Sequence, residues 1–193
     1  MSKNDELIPE LQQRWSPRAF DGRGIGNDQL RLLFEAARWA PSCYNDQPWS
    51  FVISRKDGGG QYQRLLSTLI EFNQSWAATA PILLFGCARR SFERNGEPNR
   101  HAWYDLGQAM GLLLVQAASM DILLHQMAGF DAEQAAQILG VPPDVAVVTV
   151  AAVGYLGDAG RLPNGMDEKD PDTRERKSMA SFVFDESWSN SLF

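Results

Sequence analysis

Arg14, Ser16 and Arg18 stand at alternate positions in Arg14-Trp15-Ser16-Pro17-Arg18-Ala19-Phe20, so an extended segment presents all three on one side. Two guanidiniums and a hydroxyl can clamp a phosphate, because arginine offers a planar fork that matches phosphate oxygens. On spacing alone, a solvated basic turn ahead of the first helix is the simpler reading. A second polar cluster lies in Ala40-Pro41-Ser42-Cys43-Tyr44-Asn45-Asp46-Gln47-Pro48-Trp49. Between its two prolines, Ser42, Asn45 and Gln47 can each donate and accept hydrogen bonds. A loop of that kind, braced between a helix and a strand, suits a flat heterocyclic ligand better than a metal or a phosphate.

The elements that must position these clusters are legible in the apolar periodicity. Asn27 or Asp28 can cap a helix whose Leu30, Leu33, Phe34 and Ala37 share a face, with Pro41 ending it. Gln61–Ala78 reads as another helix. Asp105 can cap a third, on which Leu106, Ala109, Met110, Leu113, Leu114 and Ala117 form a stripe. Gly111, Leu112, Val115 and Ala118 make its other face apolar too, so this helix is expected to be buried all round, in a domain centre or a dimer interface. Asp131 and Gln134 have capping-box spacing for a short helix running to Gly140. Strand signals are Trp49–Ser54, Pro81–Cys87, Val145–Tyr155 and Phe182–Phe184. Few strands among more helices indicate an α+β sheet covered by helices. Gly157–Asp172 is polar and reads as a long loop.

The bulk numbers bound the function classes. A chain of 193 residues fits one domain, taken as 1–193, with terminal arms free to pack on a partner. A net charge of −6 argues against nucleic acid or an anionic membrane as the main partner. Two cysteines, Cys43 and Cys87, make no disulfide framework and have no metal-ligand spacing, so no metal is expected and a reducing cytoplasm is the simplest compartment. Met1–Gln13 has charges of both signs and no apolar core, unlike a secretory signal. The longest apolar stretch, Leu106–Met120, is too short to span a bilayer. Gly22–Gly26 lacks the spacing of a dinucleotide loop, and Gly58–Gly60 lacks the Lys-Ser/Thr of a P-loop. Arg89–Arg100 is charged and reads as a solvated loop or a substrate lid.

Taken together, the two clusters resemble the nitroreductase family of FMN-dependent oxidoreductases. Members follow R-x-S-x-[RK]-x-F and then A-P-S-x-x-N-x-Q-P-W, and this chain has every fixed position. The resemblance implies that Arg14 and Ser16 contact the FMN phosphate and that Arg18 lies near the flavin pyrimidine edge. It implies that Pro41, Ser42, Cys43 and Asn45 line the flavin and ribityl, with Gln47 and Trp49 bracing the loop. Asn73 matches an Asn that reaches the flavin ring, usually from the partner subunit. Arg174 and Arg176 resemble C-terminal phosphate ligands, and Gly129 the backbone position nearest flavin N5, where the absence of a Cβ allows close approach. Departures are Ala128, where several members carry an acidic residue, and Trp76, where some carry a Lys.

The implied fold is α+β, an antiparallel-dominated central sheet wrapped by helices with a long buried central helix and FMN at a homodimer interface. The implied activity is ping-pong hydride transfer from NAD(P)H through flavin N5 to a small electron acceptor such as a nitroaromatic, quinone or enone. Gly129 and Arg18 would tune that step. Alternatives on the same scaffold are FMN binding or storage with little turnover, reductive dehalogenation and flavin breakdown.

Overall fold

In a computed structural model, which describes residues 7–163, 165–168 and 170–193, four apolar runs pair into one sheet. Its strands are β1 (Trp49–Arg55), β2 (Ile82–Arg89), β3 (Leu123–Met127) and β4 (Val145–Gly154). They are antiparallel throughout, in the order β1-β2-β4-β3. The helices are α1 (Pro9–Gln13), α2 (Asn27–Arg38), α3 (Gln61–Leu66), α4 (Glu71–Ala77), α5 (Ala102–Ala118) and α6 (Ala132–Leu139).

Helices cover both faces of the sheet, which is why its inner strands read as nearly unbroken apolar runs. Along β2, Ile82, Leu84 and Ala88 face a core shared with Leu30, Leu33 and Ala37 of α2 and Leu106, Met110 and Leu113 of α5. The intervening Leu83, Phe85 and Cys87 face the other core, with Tyr62 and Leu65 of α3, Trp76 of α4 and Ala135 of α6. Asp131 caps α6 by accepting from the Gln134 N–H at 2.9 Å, and Gly140 ends it in the left-handed region that suits glycine.

Several local expectations give way to long-range pairing. Gln61–Ala78 is two helices, broken where Leu69 bridges Phe130 and the Ile70 N–H donates to the Gly129 carbonyl at 3.0 Å. Asp105 does not cap its helix: α5 starts at Ala102, so Asp105 lies inside the first turn and is buried. Within one chain α5 is not buried all round, because Trp103, Tyr104 and Leu112 are exposed, which leaves the dimer-interface form of that expectation open. Phe182–Phe184 forms no strand; a 3-10 turn at Met179–Ser181 precedes it and Phe184 makes one isolated bridge to Ser191. Phe182 stays exposed, and among the described residues no strand pairs with it. The edge strand β3 carries His125 and Gln126 and has no strong sequence signal. Of the Gly157–Asp172 stretch, the described residues form only turns, and Asn164 and Lys169 lie outside them. The reading of Met1–Gln13 falls partly outside as well, on residues 1–6. Among the described residues, no helix is long and apolar enough to cross a membrane.

Candidate functional site

The segment Arg14–Phe20 is extended as its alternation requires. Trp15, Pro17 and Ala19 are buried, while Arg14 and Arg18 are half-buried and Ser16 is exposed between them. The segment is held against the sheet by three contacts. His125 Nδ1 of β3 donates to the Pro17 carbonyl at 2.9 Å, Phe20 bridges Leu156, and the Gly157 N–H donates to the Ala19 carbonyl at 3.0 Å. One Glu168 carboxylate oxygen accepts from the backbone N–H groups of both Arg18 and Ala19, at 2.7 Å each.

The structure brings Arg174 and Arg176 to this segment. Burial first, then the charges of Arg174 and Arg176, hold the Arg14 guanidinium below its ordinary pKa. Arg174 is committed to the backbone, donating to the carbonyls of Pro171, Gln12 and Arg14. Arg176 donates to the neighbouring Glu175 carbonyl and is otherwise exposed. Buried Nε atoms of Arg14 and Arg18 have no hydrogen-bond partner. Concentrated cations with unused donors suit a small anion with several oxygens.

Next to this cluster, Arg18 sits over the Phe72 ring at 5.4 Å. The adjoining Asn73 is buried, and its side-chain amide donates to the Gly129 carbonyl at 3.1 Å. A Cβ on Gly129 would stand 2.9 Å from that amide nitrogen and 2.7 Å from Ile70 Cδ1, so only glycine fits without displacement. His125 stacks on Trp76 with ring centroids 4.4 Å apart. Burial first, and then the nearby Arg18 charge, lower the His125 pKa despite its carbonyl contact. Arg18, Asn73 and Gly129 thus belong to one chain, and Asn73 joins the arginine cluster without a second copy.

The Pro41–Gln47 loop is rigid for a different reason. Tyr44, Asn45 and Gln47 all have left-handed φ, 55°, 56° and 48°, a strained arrangement for side chains other than glycine. It is held by Ser42 Oγ, which accepts from the Gln47 N–H at 3.0 Å, and by Asp105, which accepts from the Cys43 N–H at 3.1 Å. Asp46 accepts from the Glu93 N–H at 2.9 Å and pairs with Arg89 at 3.1 Å. The sequence points to Asp105 as a helix cap and assigns Asp46 no role, so neither is expected as an anchor of this loop. The available signal was a carboxylate set directly beside the apolar stripe of α5, which demands a buried partner.

Within one chain the two motif blocks sit far apart. Asp105 anchors the loop at the start of α5, whereas Trp15 lines a cleft with Ala118 and Leu123 at its far end. Thirteen residues of helix separate the two, about 20 Å at 1.5 Å per residue. The sheet tells the same story: Trp49 pairs with Ala88, which pairs with Ala146 at the start of β4, while Phe20 bridges Leu156 beyond its end. Among the described residues, no group of three or more His, Cys, Asp or Glu could hold a metal.

The profile of the Nitroreductase family matches residues 11–70 and 57–155. A solved structure described as an oxidoreductase containing FMN superposes with a TM-score of 0.87 at 30% identity, covering 99% of this chain and 96% of that one. A nitroreductase family protein from Clostridium difficile 630 shares the fold at 15% identity, with a TM-score of 0.73 and coverage of 95% and 99%. An NADH dehydrogenase of Thermus thermophilus is 28% identical over 187 residues, 78% of this chain and 89% of that protein.

Proposed function

This chain belongs to the nitroreductase family, and we propose that it is an FMN-dependent oxidoreductase. In this reading it takes hydride from NAD(P)H and passes it to a small organic acceptor by a ping-pong mechanism, working as a homodimer in the cytoplasm. The observation that carries it is the arginine cluster: Arg14 and Arg18 bury unpartnered Nε donors where Arg174 and Arg176 add charge. Those donors fit a flavin phosphate, and the Cβ-free position at Gly129 fits close approach of a planar ring. The likeness to an FMN-containing oxidoreductase along nearly the whole chain supports the same cofactor.

Bound FMN supplies the two-electron redox chemistry, accepting and returning hydride. The chain's own residues bind, orient and charge the site. Arg14, Ser16 and Arg176 hold the phosphate, and Arg174 adds its charge while bracing the backbone that carries Arg14. Arg18, held over Phe72, would place a positive charge near the bound ring and so favour its reduced form. Asn73 orients the Gly129 peptide through its hydrogen bond to the carbonyl. Pro41, Ser42, Cys43 and Asn45 would line the ring from a partner copy, since within one chain their loop lies about 20 Å along α5 from the arginine segment. The exposed faces of α2 and α5, with Trp39, Trp103 and Leu112, are the surface such a dimer buries.

The test is the visible spectrum of purified protein, followed by anaerobic addition of NADH and then NADPH. Two flavin bands that bleach support the enzyme. Bands that persist mean an FMN-binding protein with another donor or little turnover. No bands after incubation with FMN overturn the cofactor assignment.

A further inference from the structure

The segment between β2 and α5 is a solvated hairpin. Ser91 bridges Pro98, the Phe92 N–H donates to the Glu97 carbonyl at 2.7 Å, and the Asn99 N–H to the Arg90 carbonyl at 2.7 Å. The Asp46 carboxylate, with its side chain only 4% exposed, clips this hairpin to the Pro41–Gln47 loop through the Glu93 N–H and Arg89. Above that clip, the strained backbone at Tyr44 holds its ring out, 74% exposed. Phe92 meets it edge-on at 5.8 Å, and the Arg94 guanidinium lies 4.4 Å from the Tyr44 centroid and 5.4 Å from that of Phe92.

This ledge has two properties that a neutral acceptor does not require. Arg94 lies within cation–π distance of both rings, and its N–H donors make no hydrogen bond within the described residues. Exposed Arg90, Arg94 and Arg100 also have no ion-pair partner among the described residues, in a chain whose net charge is −6. Aromatic faces beside unpaired arginines recognise a phosphate attached to a planar base.

We propose that Tyr44, Phe92 and Arg94 form a recognition ledge for the adenosine end of the dinucleotide donor, with Arg94 reading its 2′-phosphate. NADPH is then the preferred donor. The inference rests on the reading above that the Pro41–Asn45 loop borders the flavin, since Tyr44 belongs to that loop.

Two measurements test it. In the first, FMN-loaded protein is reduced anaerobically in a stopped-flow instrument by NADPH and by NADH, for wild type, Arg94→Gln and Arg94→Lys. The expected result is faster reduction by NADPH and an NADPH-to-NADH rate ratio that falls about tenfold in Arg94→Gln, the scale of one charge-assisted contact. Arg94→Lys should keep part of it. In the second, adenosine 2′,5′-bisphosphate and AMP are titrated calorimetrically into the same proteins. The bisphosphate should bind more tightly to wild type, and Arg94→Gln should remove the difference. An unchanged rate ratio together with equal binding of the two nucleotides overturns the proposal. So does a loss in Arg94→Gln confined to turnover of an anionic acceptor such as 4-nitrobenzoate. Protein that carries no flavin fails the underlying reading instead, and the titration then still decides whether Arg94 reads the phosphate.

Discussion

Replacing Gly129 by alanine puts a methyl carbon 2.7 Å from Ile70 Cδ1, 3.0 Å from Ile70 Cγ1 and 2.9 Å from Asn73 Nδ2. The two neighbours answer differently. Ile70 is 52% exposed and can swing outward at little cost, whereas Asn73 is 9% exposed and is confined. For an ordinary contact the Asn73 amide must retreat by about half an ångström, which takes its 3.1 Å hydrogen bond to the Gly129 carbonyl out of range. A buried amide stripped of its partner costs about 1–3 kcal/mol, and residual overpacking adds about 1 kcal/mol. Gly129 does not have a left-handed φ, so alanine is tolerated by the backbone and regains about 0.4–1 kcal/mol from the unfolded chain. The net expectation for Gly129→Ala is a loss of about 1.5–3 kcal/mol. Urea unfolding at fixed protomer concentration measures it, with Asn73→Ala and the double variant completing a cycle. Since removing the Asn73 amide removes the clash, the double variant should be about 1–2 kcal/mol more stable than additivity requires. A loss under about 0.5 kcal/mol, or strict additivity, would refute the argument that Gly129 is required for its approach to Asn73.

The other expectations concern the clamp, the histidine and the cysteines. Arg14→Ala should weaken FMN about 10- to 100-fold in a fluorescence titration, as expected for lost charge-assisted hydrogen bonds. Arg174→Ala should act mainly on urea stability, by about 1–3 kcal/mol, because three backbone carbonyls lose their donor. Were Arg174→Ala to change affinity alone, its bracing role would be wrong. The His125 pKa is lower in the fold than in the unfolded chain, so below about pH 6.5 the unfolded state binds more protons. Stability should therefore be whole above that pH and decline as pH falls through it; His125→Gln should flatten this slope, and an unaltered slope would exclude His125 as its source. Burial pushes the Cys87 thiol up to about 11, and Cys43 lies half-exposed in the loop. Iodoacetamide at neutral pH should spare Cys87 in the native chain, as read by peptide mass, and label it once the chain is unfolded in urea; label on native Cys87 would contradict its burial.

Family membership, the α+β class and the boundaries of most strands and of α2 and α6 were legible in the chain itself. Each depends on local spacing: apolar positions at helical or alternate intervals, Asp131 as a cap, and two dense polar motifs. The outward set of Arg14, Ser16 and Arg18 was legible too, because alternation in an extended segment needs no partner to define its faces. Long-range pairing decided the rest. Leu69 and Ile70 leave the helical pattern only because Phe130 and Gly129 offer them backbone partners from 60 positions along, and that break is what delivers Asn73 to Gly129. Asp105 looks like a cap until the loop at Cys43 folds over it and takes its carboxylate. Arg174 resembles a phosphate ligand in sequence, and the fold gives its guanidinium a bracing role that spacing does not show, on the carbonyls of Gln12 and Arg14. Two motifs separated by about 25 residues in sequence also proved to lie at opposite ends of α5, since the chain between them runs the length of α2 before turning back. Spacing along a chain sets which residues share a face; the distance between faces is set only when the sheet and helices close around the core.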